Sequence, residues 1–206
     1  MRRPMFVPVT AALRRSGPFP RRQRGVTLIE LIMVLVIMAV LLALAAPSFA
    51  DTIRNNRLAS QVNRVVYGLN LARSEAVKRA TPVTLCKSSS GIACTTTSEW
   101  EQGWILFSDP DGDQVYDSDE SLLRVDQALI AGYSLRGSAA VADAVTFHAN
   151  GTSLMQGSFV LCLDNQLHAA RLAGVTLAGR IRKGTDIDGD RIPEDVDGTE
   201  ITSCAP

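Results

Sequence analysis

Glu30 is the one charged residue in an otherwise apolar run over residues 26–46. An isolated carboxylate at the centre of a bilayer-length helix costs about 2.5–3.5 kcal/mol on insertion scales. A segment that served only as an anchor gains nothing from that cost, so Glu30 calls for a partner of opposite charge. Two further groups of side chains could do chemistry. Arg180 and Arg182 stand two apart, with Lys183 next to them. In a strand, residues two apart project to one side, so the pair would present two guanidinium forks with Ile181 turned to a core. Each fork donates parallel hydrogen bonds that suit phosphate oxygens. The bland reading is a solvated strand face, or salt bridges to the acidic tail that follows.

Oxygen donors gather in the segment 109–120. Asp109, Asp111, Asp113, Asp117 and Glu120 fall at offsets 1, 3, 5, 9 and 12 of an EF-hand-like calcium loop. Gln114 holds the sixth position, where such loops have glycine, and the flanks read as strands. Asp186, Asp188 and Asp190 repeat the first three offsets in the tail. Acidic turns of this kind also serve simply as soluble hairpin loops. Calcium is the only cofactor these residues suggest.

Four cysteines suit an oxidising compartment. Cys86 and Cys94 bracket a short polar loop, Cys162 lies in an apolar run and Cys204 in the tail. Of the three pairings available, Cys86 with Cys94 and Cys162 with Cys204 is favoured, because the second bridge would staple the tail to a sheet. A zinc site is the alternative, but the sequence has no C-x-x-C pair. His148 and His168 are the only histidines, and neither has the spacing of a Ser/Cys–His–acid arrangement. No phosphate loop, zinc-helix motif or nucleotide fingerprint is present. A structural and interaction protein is expected, not an enzyme, with no small-molecule substrate.

The elements that must carry these residues are legible from patterning. Residues 1–25 hold seven arginines and no acid, so by the positive-inside rule this end stays cytoplasmic. Residues 26–46 are long enough to cross a hydrocarbon core of about 30 Å. Pro47 interrupts the pattern, with a kink expected there, and an amphipathic helix resumes to about residue 80. Its apolar stripe is Leu58, Val62, Val65, Leu69, Ala72 and Ala76. Pro82 then disfavours helix in the residue before it. Short apolar runs at 82–86, 103–107, 121–125, 133–136, 145–148, 159–163, 170–177 and 180–182 read as strands, separated by Gly, Asn, Asp and Ser turns. Trp100 and Trp104 read as core or rim packing. The expected fold class is α+β: a long N-terminal helix packed on an antiparallel β-domain over residues 81–183, followed by an acidic tail over 184–206.

The formal charge of zero conceals an asymmetry. Residues 26–206 hold 14 of the 21 Lys+Arg against all 21 Asp+Glu, a net charge of −7 for that part of the chain. A chain this acidic does not bind nucleic acid through its overall field and needs a local basic patch to do so.

The order of charged leader, Gly25, Val26-Thr27-Leu28-Ile29, Glu30 and apolar helix resembles the prepilin signature of type IV pilins and type II secretion pseudopilins. That resemblance implies that a prepilin peptidase cuts after Gly25 and that the new amine of Val26 is methylated. It further implies that Glu30, the fifth mature residue, pairs with an N-terminal amine during filament assembly. Val26 stands where phenylalanine is commoner, and the leader is long. A secretory signal peptide is the competing reading, but it would not carry a charge inside its apolar run. Leu71-Ala72-Arg73-Ser74-Glu75-Ala76-Val77-Lys78-Arg79, Trp104-Ile105-Leu106-Phe107 with its acidic loop, Phe147-His148-Ala149-Asn150-Gly151 and Gly179-Arg180-Ile181-Arg182 resemble segments of the FimT/GspH branch of minor pilins and pseudopilins.

The resemblance implies a type IV pilin-like fold, and a single pass through a bacterial inner membrane with the β-domain in the periplasm. The implied partners are other major and minor pilins or pseudopilins, prepilin peptidase and inner-membrane lipid. In FimT-type proteins, Gly-Arg-x-Arg motifs are associated with DNA capture, which makes DNA a candidate partner of Arg180 and Arg182. Type II secretion protein H, a minor pseudopilin, is the alternative. A membrane-anchored periplasmic binding domain that never polymerises is the alternative of another class.

Overall fold

The computed structural model describes residues 25–190, 192–195 and 197–204, so the basic leader apart from Gly25 lies outside the described residues. The chain divides into two units, 1–46 and 47–206. One helix, α1 (Leu28–Arg79), contributes to both and includes Pro47. In the first unit, the stretch Leu28–Ala45 is long and apolar enough to cross a membrane, and none of it is buried.

In the second unit, the stripe read from the sequence faces inward. Leu58, Leu69, Ala72 and Ala76 are fully buried, and Val62 and Val65 nearly so. The helix stops where its backbone is turned. Ala80 takes a left-handed conformation (φ 54°), and the Thr81 N–H returns to the Ala76 carbonyl at 3.3 Å, satisfying a terminal acceptor before Pro82.

Among the described residues, the β-domain has eight strands in two four-stranded antiparallel sheets. The first has the order β3 (Leu122–Gln127), β2 (Gly103–Ser108), β1 (Val83–Lys87), β5 (Ala144–Phe147). The second has the order β4 (Tyr133–Gly137), β6 (Gly157–Leu163), β7 (Gln166–Val175), β8 (Ile181–Lys183). The sequence places the strands but not their division into two sheets. β4 follows β3 in the chain yet pairs with β6. The segment joining β4 to β5 packs on the second sheet at a close approach that only small residues allow. A side chain at Gly137 would collide with the Val141 carbonyl, and one at Gly157 with the Val141 side chain and Ser138. Trp100 fills the seam, donating its ring N–H to the carbonyls of Val141 at 3.2 Å and Ala142 at 2.9 Å. It meets Phe159 edge-on, with ring centroids 5.0 Å apart.

Strand β7 begins at Gln166, four residues before its expected start at 170. Asp164 and Asn165 both have positive φ (51° and 58°), the conformation of a two-residue type I′ hairpin that matches the strand twist. Leu163 thus pairs directly with Gln166. Two hydrophobic clusters lie on the faces of the second sheet. Phe159, Leu161, Ala173 and Val175 join the main core under α1. Val160, Cys162, Ala170 and Leu172 form a smaller cluster with Leu167, Ile201 and Cys204, so the tail covers that second face.

Candidate functional site

Glu30 lies in the first turn of α1. Its backbone N–H donates to the Thr27 hydroxyl at 3.3 Å, which makes Thr27 the N-cap and Glu30 the third helical residue. Thr-x-x-Glu is a capping-box spacing, a local reason for Glu30 independent of any partner. A carboxylate in the first turn also faces the positive end of the helix dipole. Among the described residues, nothing lies near the position a side chain on Gly25 would take, and Val26 is 72% exposed. Gly25, Val26 and Glu30 therefore sit together at the start of α1.

Three segments that lie far apart in the sequence meet at Arg73. Its Nε donates to the Gly151 carbonyl at 2.9 Å and its Nη2 to the Ala178 carbonyl at 3.4 Å. Gly151 and Gly179 both have positive φ (79° and 70°), and a side chain on Gly179 would run into the Gly151 carbonyl. The turn between β7 and β8 is thereby held against α1. Arg180 leaves that turn with its N–H on the Thr176 hydroxyl at 3.2 Å, while its carbonyl accepts from the Thr176 N–H at 3.0 Å.

Arg180 itself lies just before β8, not in it, because the ladder pairs only Ile181, Arg182 and Lys183 with Val175, Gly174 and Ala173. Ile181 packs against the main core. Arg180 and Arg182 are exposed, and among the described residues neither guanidinium is held by a hydrogen bond or ion pair. Lys183 is tied back to α1, donating from Nζ to Asn63 Oδ1 at 2.6 Å.

The acidic loop is built around Asp109, which is fully buried. Its carboxylate accepts from the Thr84 hydroxyl at 2.5 Å, the Gly112 N–H at 2.8 Å and the Gln114 N–H at 3.3 Å. Thr84 also meets the Thr146 hydroxyl at 2.7 Å, so a polar network beneath the loop ties it to β1 and β5. The carboxylates of Asp109, Asp111 and Glu120 come within 4.8 Å of one another, as do those of Asp111, Asp113 and Asp117. Glu120 Oε1 is buried without a hydrogen-bond partner. Burial, and then the charges of Asp109, Asp111 and Asp113, push the Glu120 carboxyl above its ordinary range, while the Asp117 N–H pulls it down. The spacing of residues 109–120 thus does converge in space, although its first member is mainly a loop anchor. In the tail, Asp186, Asp188 and Asp190 form a third, exposed cluster.

Disulfides join Cys86 to Cys94 and Cys162 to Cys204. His148 is half-buried and His168 exposed. Trp100 and Trp104 are both buried; Arg64 stacks over Trp104 at 5.4 Å from the ring centroid and donates to the Gln127 carbonyl at 2.7 Å.

Comparison with known proteins agrees with this arrangement. Residues 61–179 match the family described as type II transport protein GspH. Residues 20–46 match the prokaryotic N-terminal methylation motif. No curated protein matches the chain. Two crystal structures of the type IV minor pilin FimU from Pseudomonas aeruginosa (strain PAO1) share the fold. The first has 22% identity and a TM-score of 0.54, over 72% of this chain and 96% of FimU. The second has 21% identity and a TM-score of 0.52, over 71% and 99%. A methylation motif leading into an apolar helix, and a GspH match over more than half of the length, give one conclusion: the chain belongs to the GspH family of pilin-like proteins.

Proposed function

We propose that this protein is a minor pilin of the FimT/GspH type, cut after Gly25 by prepilin peptidase and assembled with other pilins into a filament. The observation that carries the reading is the exposed apolar helix with Glu30 in its first turn. Every described side chain from Leu28 to Ala45 is exposed, so this surface needs lipid before assembly and neighbouring helices after it. Cleavage after Gly25 places a new cation at Val26, four residues before Glu30. Within one helix that spacing already allows pairing. In a filament the amine of a neighbouring subunit takes over, and attraction between two charges in a low-dielectric bundle sets the register. The leader end stays in the cytoplasm and the β-domain faces the periplasm.

The test uses two variants. Gly25→Val should retain the leader and run as a heavier band. Glu30→Ala should be processed normally yet be absent from sheared filaments. Normal incorporation of Glu30→Ala removes the assembly role.

Arg180 and Arg182 give this subunit a second role, contact with DNA phosphates. Their support is positional: two exposed guanidinium groups, unpaired among the described residues, flank a half-buried Ile181 beside a turn clamped to α1. This favours a type IV pilus over a type II secretion pseudopilus. The same subunit as protein H of a secretion pseudopilus would need no such patch. A gel shift comparing the wild type with Arg180→Ala/Arg182→Ala decides the point, and equal retardation ends the DNA reading.

The loop of Asp109, Asp111, Asp113, Asp117 and Glu120 is read as a calcium site. The support is Glu120 Oε1, which is buried and unpartnered beside other carboxylates. Oxygen-only donors suit a hard cation.

A further inference from the structure

The DNA-contact surface is bordered by a segment of opposite charge. The tail over residues 184–206 carries seven carboxylates against one arginine, Arg191. It lies beyond the region that matches the GspH family. A tail of this composition could trail freely in solvent, but the structure ties it down at several points. Cys204 is bonded to Cys162 on β6, and Ile201 packs in the small cluster on the second face of the sheet. The Gly184 N–H donates to the Leu172 carbonyl at 2.9 Å, and the Glu194 N–H to the Thr185 carbonyl at 3.2 Å. Isolated bridges link Thr185 to Glu194 and Glu194 to Glu200, so the tail folds back on itself beside β8. The Glu194 carboxylate is spent locally, accepting the Ile187 N–H at 3.0 and 3.2 Å.

A pocket of about 240 Å³ shows what this does to the basic patch. Arg182, Lys183 and Thr185 line it together with Glu194 and Asp195. Among the described residues, these acids line the same pocket as Arg182 without an ion pair to it. Charges lining one pocket act together on an ion that enters it, and salt weakens that action over about 8 Å at physiological ionic strength. A duplex that reaches Arg182 therefore meets the arginine and the tail at once.

We propose that the latched acidic tail is an electrostatic gate on the Arg180/Arg182 surface, lowering its affinity for duplex DNA by standing fixed beside it. The proposal rests on the DNA reading above. The gate works through charge, not through steric cover, because both arginines remain exposed.

The tail's own hydrogen bonds make the charge removable. Asp188 Oδ1 accepts the Asp190 N–H. Asp195 Oδ1 accepts the N–H groups of Asp197 and Thr199. Asp197 Oδ1 accepts from the Gln156 side chain. Asparagine keeps an acceptor oxygen at each position. The experiment compares the full mature chain in detergent with Asp188→Asn/Asp195→Asn/Asp197→Asn, using fluorescence anisotropy with a 30-base-pair duplex as probe. An unchanged melting temperature certifies the variant's fold.

The expected result is about tenfold tighter binding by the variant at 50 mM salt, with the difference disappearing near 0.5 M as screening shortens. Adding Arg180→Ala/Arg182→Ala to the variant should abolish the gain. If wild type binds through the two arginines but neutralising the tail changes nothing, the gate is overturned and the DNA reading stands. If the gain survives loss of both arginines, the tail acts on some other surface and the gate as stated is overturned. If neither the wild type nor the neutralised protein binds the duplex, the DNA reading falls and the gate falls with it.

Discussion

Arg73 Nε donates to the carbonyl oxygen of Gly151 across a sequence separation of 78 residues, at 2.9 Å. The same guanidinium reaches Ala178, one residue before Gly179. One side chain of α1 thus gathers the turn after β5 and the turn before β8, and through the latter it aims Arg180. A charge-assisted hydrogen bond is worth about 1.5–3 kcal/mol when broken. Arg73→Met keeps much of the apolar stem and removes the donors. It should lower stability by about 2 kcal/mol in urea unfolding of the protein in detergent. A loss within error would mean that the turns hold themselves.

Gly179→Ala attacks the same junction from the other side. It forces a Cβ into a left-handed conformation and against the Gly151 carbonyl. Backbone strain of this kind costs about 1–3 kcal/mol before any clash is counted. The melting temperature should fall by more than in Arg73→Met, and DNA retardation should weaken because Arg180 loses its platform. Gly189→Ala, a glycine with similarly positive φ (89°) but open space around it, should cost less.

Cys204→Ser opens the bridge whose cysteines lie 42 residues apart. Loop-closure entropy for a span of this length gives about 4 kcal/mol in the chain-entropy model. Unfolding of the oxidised protein should show a loss approaching that value, with limited proteolysis cutting first within residues 184–204. Protection of that segment in the variant would show that Ile201 and the short bridges suffice.

Glu120 supplies a pH test. Its carboxyl is raised in the folded protein, so the folded state holds its proton more tightly than the unfolded chain. That preference stabilises fully below the ordinary carboxylate value of 4.5 and is lost as pH rises through the raised value. At pH 7 without calcium, Glu120→Gln should therefore melt higher than wild type, and the difference should vanish at acid pH. Millimolar calcium should raise the wild-type melting temperature and leave Glu120→Gln nearly unmoved. An equal response of both proteins to calcium removes the calcium reading.

Local patterning was enough to place the helix, its buried stripe from Leu58 to Ala76, and nearly every strand. Those features follow from periodicity and from turn residues, and both are written in neighbouring positions. The start of β7 is not legible in the sequence, because Asp164-Asn165 reads as an ordinary polar pair until its two positive φ angles are known. Thr27 as the cap of α1 is legible in the sequence, since Thr-x-x-Glu is a local signature.

The signature around Gly25 and Glu30 can be read from sequence because all its parts lie within a few consecutive residues. The surroundings of Arg180 and Arg182 cannot. Whether those arginines are free, what clamps their turn, and which acids stand beside them depend on pairs such as Arg73 with Gly151 and Cys162 with Cys204. Such pairs are brought together only when two sheets close over α1, and tertiary packing alone decides which distant charges share one surface.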